Sequence, residues 1–600
     1  MKLIKNILTF GVLIPLLASC TDMFEPALEN NRSEDNMYDD PSYAQGVLGY
    51  AYSLLPYDTK SVSDVATDDA VTNDRANTYL AMATGSWTSN NDPMSKWQGC
   101  RAAIQYINTF LSKVDDIAWA EDEKVHQMYS DRLKGEAYAL RALNMYFLML
   151  AHGGWTEDGE LLGLPIIKEP EDVNSNYNLP RNTYQECVDW MLEDLNAAIE
   201  LLPADYADIS NAEIPQKYQE IGVTNAGDYN RVNGSHMRGR ITARIAEAIR
   251  AQITLVAASP AFSDGTTVTW EDAANYAAVV LDRIGGVSGM DEDGYKWFMN
   301  TAEIDGLGSG ACPPEILWRG DRDNSAEDYA LGLNQEKDNF PPSLYGNGRI
   351  NPTQNLVDAF PMANGYPIDD KDSEYDPNDP YTNRDPRLSE YILYNGATYG
   401  TSNTQIITGV YGTNNDALGR QSTSTRTGYY MRKLLRSDCN PNPQYNTTQF
   451  HYPVRIRMTE IFLDYAEAAN EAWGPTGTGS HGYSAYDVIK AIRSRAGVGV
   501  DNGDPYLEAC AASKEQMREL IRNERRIELC FENKRFWDMR RWQLDLTETA
   551  KGIEIDQVGG TLTYEVIDVE RRNYSDYMTY GPIPYAEVLK WSNLQQNAGW

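Results

Sequence analysis

The chain has 600 residues, 23% of them charged, with a formal charge of −35 and a negative mean hydropathy. With 42% hydrophobic residues it can build a large core, and length alone predicts several domains. The negative charge excludes binding nucleic acid or anionic lipid through a broad electrostatic surface and favours neutral or cationic ligands.

At the start, Lys2 and Lys5 precede an apolar run from Ile7 to Leu17, which ends at Leu17-Ala18-Ser19-Cys20. The run is too short for a permanent membrane helix, and small residues before a cysteine suit a lipoprotein signal peptidase. Residues 1–19 therefore read as a lipoprotein signal peptide and Cys20 as an acylated N-terminus; the alternative is an ordinary secretory signal in which Cys20 pairs or is lost. Acyl chains anchor a protein at about 0.8 kcal/mol per buried methylene. The other six cysteines, Cys100, Cys187, Cys312, Cys439, Cys510 and Cys530, are widely spread, form no CxxC and mostly read as buried small hydrophobes.

Further along, Trp97 begins an apolar helical pattern through Ile104 and Ile107 to Asn108. Residues 132–150 place Leu133, Ala137, Leu140 and Phe147 on one helical face, ending at Gly153-Gly154. Residues 238–256 align Ile241, Ile245, Ile249, Ile253 and Val256, and the pattern stops before Pro260. Residues 203–237, 262–356 and 373–450 show no helical period and are rich in Gly, Pro, Asn, Asp and Tyr, as functional loops often are. Helical periodicity returns from Thr459 to Trp473, with Gly474-Pro475 as terminator. The last pattern, Lys514 to Phe531, carries Glu524 and Glu528 on the same arc as Met517, Leu520, Ile521, Ile527 and Phe531. Buried carboxylates need cations, and Arg493, Arg495, Arg535 and Arg540 are the candidates for a structural ion-pair network. A catalytic acid pair is the alternative, and it needs a cleft beside it.

Met517-Arg518-Glu519-Leu520-Ile521, Glu524-Arg525-Arg526-Ile527-Glu528-Leu529 and Arg535-Phe536-Trp537-Asp538-Met539-Arg540-Arg541-Trp542 together resemble the C-terminal signature of SusD/RagB proteins. Leu133-Lys134-Gly135-Glu136-Ala137 with Leu140-Arg141-Ala142, Asp194-Leu195 to Leu202-Pro203, Arg384-Asp385-Pro386-Arg387-Leu388, Glu460 to Glu471, Arg493 to Gly497, and Pro582-Ile583-Pro584 with Gln596-Asn597 resemble further family motifs in the same order. The resemblance implies a mainly α fold: four tetratricopeptide-like helix pairs as a scaffold, with a loop-rich irregular lobe packed on it. It also implies a surface glycan-binding lipoprotein that acts as a lid on a SusC-like TonB-dependent outer-membrane transporter. Thr21-Asp22-Met23-Phe24-Glu25 is less acidic than the run often seen after the cysteine of surface-exported relatives. The expected organisation is a linker over 20–40 and one domain over 41–600, its scaffold from 41–260 and 455–542 and its lobe inserted at 262–450.

A sugar ring has a face of C–H groups and a rim of hydroxyls, so its site needs a flat aromatic surface with fixed polar partners. One candidate segment runs from Asp69 and Arg75 to Trp87 and Asn91, where Trp87 stands among Gly, Ser, Thr and Asn. A second is Trp318-Arg319-Gly320-Asp321-Arg322-Asp323-Asn324, after a short strand from Glu315 to Trp318. Tyr345, between Pro341-Pro342 and Gly346-Asn347-Gly348, is a third. For each tryptophan the alternative is burial, Trp87 as a half-buried loop residue and Trp318 within its strand. No cofactor is expected; Asp291-Glu292-Asp293 and Asp376 to Asp385 offer oxygens for a structural Ca²⁺, but neither has the full EF-hand spacing and both read as solvated loop charge. Other ligand classes are peptide and glycopeptide. The runner-up class, a secreted glycoside hydrolase, finds scattered histidines and no HExxH, GxSxG or P-loop, while its two carboxylates stay open among 87 acids.

Overall fold

The computed structural model describes residues 34–58, 60, 63–322 and 331–600. The signal peptide, Cys20, Asp323 and Asn324 lie outside the described residues.

Helix pairs in chain order make the frame. Helix α1 (Pro41–Ser53) packs on α2 (Trp97–Leu111), and α3 (Glu123–His152) on α4 (Tyr184–Leu201). Likewise α5 (Ala243–Ala258) packs on α6 (Trp270–Asp282), and α7 (Met458–Trp473) on α8 (Ala485–Arg495). Contacts also join α2 to α3, α4 to α5 and α6 to α7, so each pair stacks on the next. No pair buries its apolar face alone; stacking gives a continuous core, as in helical solenoids. A further helix, α9 (Lys514–Leu529), packs on α7. The fold is mainly α.

Local chemistry sets the helix ends. Asp122 caps α3 by accepting from the N–H groups of Lys124 and Val125, which starts that helix ten residues before the apolar stripe is evident. Reciprocal capping boxes open α4 (Thr183 with Glu186), α6 (Thr269 with Asp272) and α8 (Ser484 with Asp487). Gly474, at φ +81°, closes α7. Helix α6 falls in a stretch whose sequence reads as non-helical. Its buried face is Ala273, Ala274, Ala277, Ala278, Val280 and Leu281, and small alanines give little hydropathy contrast while still allowing close helix approach.

Short antiparallel pairs tie the loop-rich part to the frame. Strand β1 (Ala70–Thr72) pairs with β3 (Ile350–Pro352), and β2 (Ile316–Arg319) with β4 (Val454–Arg457). A longer ribbon, β5 (Ala550–Val558) with β6 (Thr561–Glu570), follows the last frame helices.

Every residue of α7 from Met458 to Asn470 is buried, including three acids one turn apart. Each has its own cation: Glu460 meets Lys534 at 2.6 Å, Asp464 meets Arg525 at 2.6 Å and Glu467 meets Arg541 at 2.6 Å. A second network centres on α9. Glu524 is bound by Arg493 at 2.7 Å and by Arg387 at 2.9 Å. Glu528 is bound by Arg387 at 3.0 Å and Arg495 at 3.4 Å, with Arg457 at 3.6 Å. Arg387 comes from the short helix Pro386–Tyr391 of the loop-rich part, and Lys433 of that part donates to the Glu528 carbonyl at 2.6 Å. The network therefore clamps the loops to the helices. Arg535 and Arg540, also expected as partners of these glutamates, go elsewhere because their helix, Arg535–Arg541, faces the segment around residues 64–92. Arg535 binds Asp68 at 2.7 Å, and Arg540 lies 3.5 Å from the Phe536 ring centroid and donates to the Met578 carbonyl.

Candidate ligand surface and interior cleft

The two tryptophans read as stacking platforms are walled in. Trp87 is 3% exposed: its Nε1 donates to Asp92 at 2.9 Å, and its ring packs against Phe536, Tyr574 and Trp600 with Arg540 over it at 5.2 Å. The polar residues around it satisfy one another in a tight turn, Thr88 bridging Asn91 and the Asn91 amide donating to the Ser86 carbonyl at 3.0 Å. Burial of Trp87 comes from residues more than 400 positions away, which no local pattern reveals.

Trp318 is 1% exposed. Its strand is covered on both faces, its Nε1 donates to the Gly239 carbonyl at 3.0 Å, Tyr57 meets it edge-on at 5.7 Å and Arg455 lies over its face at 4.6 Å. Arg319 is also buried, donating to the carbonyls of Ala311 (2.7 Å), Gly320 (2.8 Å) and Gly308 (3.2 Å) while stacked on Tyr452. Asp69 is buried against Arg526 at 2.6 Å. Trp87, Trp318, Arg319 and Asp69 are therefore structural here and present nothing to a ligand. Asn91 and Asp321 are exposed in separate segments.

Tertiary structure brings the segments that carry Arg75 and Tyr345 to one end of a short sheet. Because β1 and β3 run antiparallel with Thr72 opposite Ile350, residues just after β1 and just before β3 leave the sheet at the same end. Asn73 there donates to the carbonyls of Asn347 and Gly348, both at 2.8 Å. Arg349 reaches Asn73 Oδ1 at 3.4 Å and stands 4.0 Å from Asp74. Arg75 is exposed, and Tyr345 is 53% exposed.

Tyr345 is also conformationally unusual, with φ +65° in the left-handed region that side chains rarely adopt. Its neighbours impose this. Pro341 and Pro342 fix the turn, the N–H groups of Leu344 and Tyr345 close back on their carbonyls at 2.9 and 3.0 Å, and Ser343 N–H binds Asp416 at 2.8 Å. Gly346 is required, since a Cβ there would stand 2.0 Å from the Phe340 carbonyl oxygen. Surrounding contacts thus hold the Tyr345 ring in an exposed position.

A cleft with a cavity volume of about 170 Å³ separates the helices from the loop-rich part. Tyr146 and Phe147 of α3, Gln252 and Leu255 of α5, and Glu460 and Asp464 of α7 line one side. Burial pushes the Asp464 carboxyl up to about 7 despite the adjacent Arg525. Glu460 and Asp464 project from one helix, each tied to its cation, so they do not oppose each other across a bond as glycosidase acids do. No sequence signal singled out this cleft, because its acids read as ordinary polar positions of a helix. Among the described residues, no three His, Cys, Asp or Glu side chains form a metal-binding group, and no helix is long and apolar enough to cross a membrane. Asp293 and Asp376, in the acidic clusters, serve local contacts, Asp293 pairing with Lys296 and Asp376 closing a turn with Asn378.

Two family models match the sequence: the SusD family over residues 314–600, and one described as starch-binding associating with outer membrane over residues 36–217. A SusD-like protein of Formosa agariphila is 23% identical over 571 residues, covering 92% of this chain and 93% of its own. Among solved structures, a SusD-like protein from Bacteroides fragilis superposes with a TM-score of 0.69 at 22% identity, covering 95% of this chain and 99% of that one. A SusD-like carbohydrate binding protein from the same organism gives 0.67 at 20% identity, covering 93% and 100%. These structural likenesses carry the fold. With the two family models spanning most of its length and the motifs in family order, the chain belongs to the SusD/RagB family.

Proposed function

We propose that this protein is a glycan-binding lipoprotein that captures oligo- or polysaccharide at the Tyr345 surface and delivers it, without chemistry of its own, to a SusC-like TonB-dependent transporter. The observation that carries the reading is the exposed Tyr345 ring in the segment that leads into β3, a segment whose Asn347 and Gly348 carbonyls are held by Asn73, two residues before the exposed Arg75. A flat ring accepts the C–H face of a pyranose, and carboxylate and guanidinium groups bind its hydroxyls. Family membership supports the ligand class, and the model described as associating with outer membrane supports the location. In this reading residues 1–19 are removed, Cys20 is acylated in the outer membrane facing the cell exterior, residues 20–40 are the linker and 41–600 form one domain.

The test uses the soluble chain without Cys20, screened on a glycan array and titrated with the strongest polysaccharide. A ring face of roughly 50 Å² at about 25 cal/mol per Å² is worth about 1.3 kcal/mol, so Tyr345→Ala weakens binding about tenfold. Arg75→Ala weakens it further. Unchanged affinity in both variants removes the site, preference for peptides over every glycan redirects the ligand class, and product release from bound glycan removes the non-enzymatic reading.

A further inference from the structure

The cleft between helices and loops holds more than solvent-facing charge. Arginines that line it are engaged by acids: Arg436 by Asp305 and Asp438, Arg457 by Glu315 and Glu532, Arg525 by Asp464 and Asp538, and Arg541 by Glu467. Arg455 differs. Among the described residues no carboxylate lies within 4 Å of its guanidinium, which lies flat over Trp318 at 4.6 Å and donates to the Arg319 carbonyl at 3.3 Å. Burial lowers its proton affinity, and Tyr57, Tyr52 and Asp321 offset this only in part.

Beside it stands Tyr57, edge-on to the same Trp318 ring at 5.7 Å and to Phe147 at 5.0 Å. The Tyr57 hydroxyl is buried and has no hydrogen-bond partner, nor does the indole N–H of Trp297 on the loop side of the cleft. Tyr57 and Trp297 thus carry donors without an acceptor in the wall of a cavity that Arg455 also lines, together with the acids Glu460 and Asp464. On the helical side the unmatched group has the opposite sense: Asp464 Oδ1 accepts from Arg525 at 2.6 Å, while its Oδ2 is buried and accepts from nothing. An unmatched donor and an unpaired guanidinium in one wall of the cavity and an unmatched acceptor in the other leave polar groups that a ligand can complete.

We propose that the interior cleft is a second ligand site, separate from the Tyr345 surface, that takes one acidic sugar unit of the hexuronate type. Its carboxylate is received by the Arg455 guanidinium and the Tyr57 hydroxyl, one of its ring hydroxyls donates to Asp464 Oδ2, and Phe147 offers an aromatic wall for the ring. A guanidinium binds a planar carboxylate through two parallel bonds, which a neutral hexose cannot reproduce. The cavity, about 170 Å³, is below the usual range for drug-sized ligands and suits a single ring. Buried Trp318 acquires a role here: it holds Arg455 on its face and Tyr57 on its edge, and touches no ligand itself.

The test is calorimetric titration of the folded chain with glucuronate, glucose and acetate at pH 6 to 7. Glucuronate is expected to bind at least tenfold more tightly than either probe, because glucose lacks the charge and acetate lacks the ring. Arg455→Gln and Tyr57→Phe each lower glucuronate affinity at least tenfold, and Arg455→Lys, which keeps the charge without the planar fork, restores only part of it. Melting temperatures of all three variants check that the fold is kept, and Tyr345→Ala leaves glucuronate binding unchanged. Glucose binding as tightly as glucuronate, no glucuronate binding, or Arg455→Gln and Tyr57→Phe chains that are folded and bind as wild type would overturn the proposal. Polysaccharide capture at Tyr345 stands or falls by its own titration.

Discussion

Replacing Glu528 by glutamine tests whether the clamp between helices and loops is held by charge. Burial by itself pushes this carboxyl up, yet Arg495, Arg387 and Arg457 override it and hold the group at about 2, against an ordinary 4.5. Glutamine mimics the protonated acid, so Glu528→Gln removes what the charge contributes: from 4.5 to about 2, on the order of 3 kcal/mol. Since the folded-state value is depressed, the contribution is complete above the ordinary value and disappears as pH falls through the folded one. Urea midpoints of the wild type and Glu528→Gln should therefore differ by a constant amount between pH 7 and 5, by about half as much near pH 3, and by almost nothing at pH 2. The refuting result is an unchanged midpoint at pH 7, or a gap that does not narrow in acid; either means that packing, and not the arginine cage, holds Glu528 in place.

Further consequences are as direct. His152 is buried between the Lys96 N–H and the Pro582 carbonyl, and burial pushes its imidazole down to about 4 from 6.5. Stability should fall by about 3 kcal/mol as pH drops from 6.5 to 4, a window above that of Glu528, and a His152→Gln chain should lack that slope in urea titrations. Trp87→Ala and Trp318→Ala should each cost about 3–5 kcal/mol in urea unfolding while the folded fraction of Trp87→Ala still binds polysaccharide, since that ring fills the core and faces no ligand. In the native chain without Cys20, a maleimide should label Cys312, which is exposed, well before Cys100, Cys187, Cys439, Cys510 and Cys530, which are buried and react only after denaturation.

Helical periodicity located α3, α5, α7 and α9, and the ordered motifs carried the family and its mainly α architecture, because a stripe of apolar residues every three to four positions is a local property. Glycine with proline after Trp473 and the buried glutamates of α9 were legible for the same reason. The alanine face of α6 lacked hydropathy contrast, and the early start of α3 depended on a cap whose partners are its own backbone N–H groups.

What tertiary structure decided was exposure. Trp87 and Trp318 sit in polar local sequence, yet residues 574–600 and the strand pair with its flanking rings remove them from water. Antiparallel pairing of Ala70–Thr72 with Ile350–Pro352 brings Asn73 against Asn347 and Gly348 across about 270 positions, and nothing in either segment announces the other. Arg455 stands out only once the carboxylates around its neighbours have been placed. Sequence alone determined the strongly periodic helices and what kind of protein they build, whereas which aromatic rings are exposed and which charge lacks a partner depend on contacts between distant segments, a property of the folded chain.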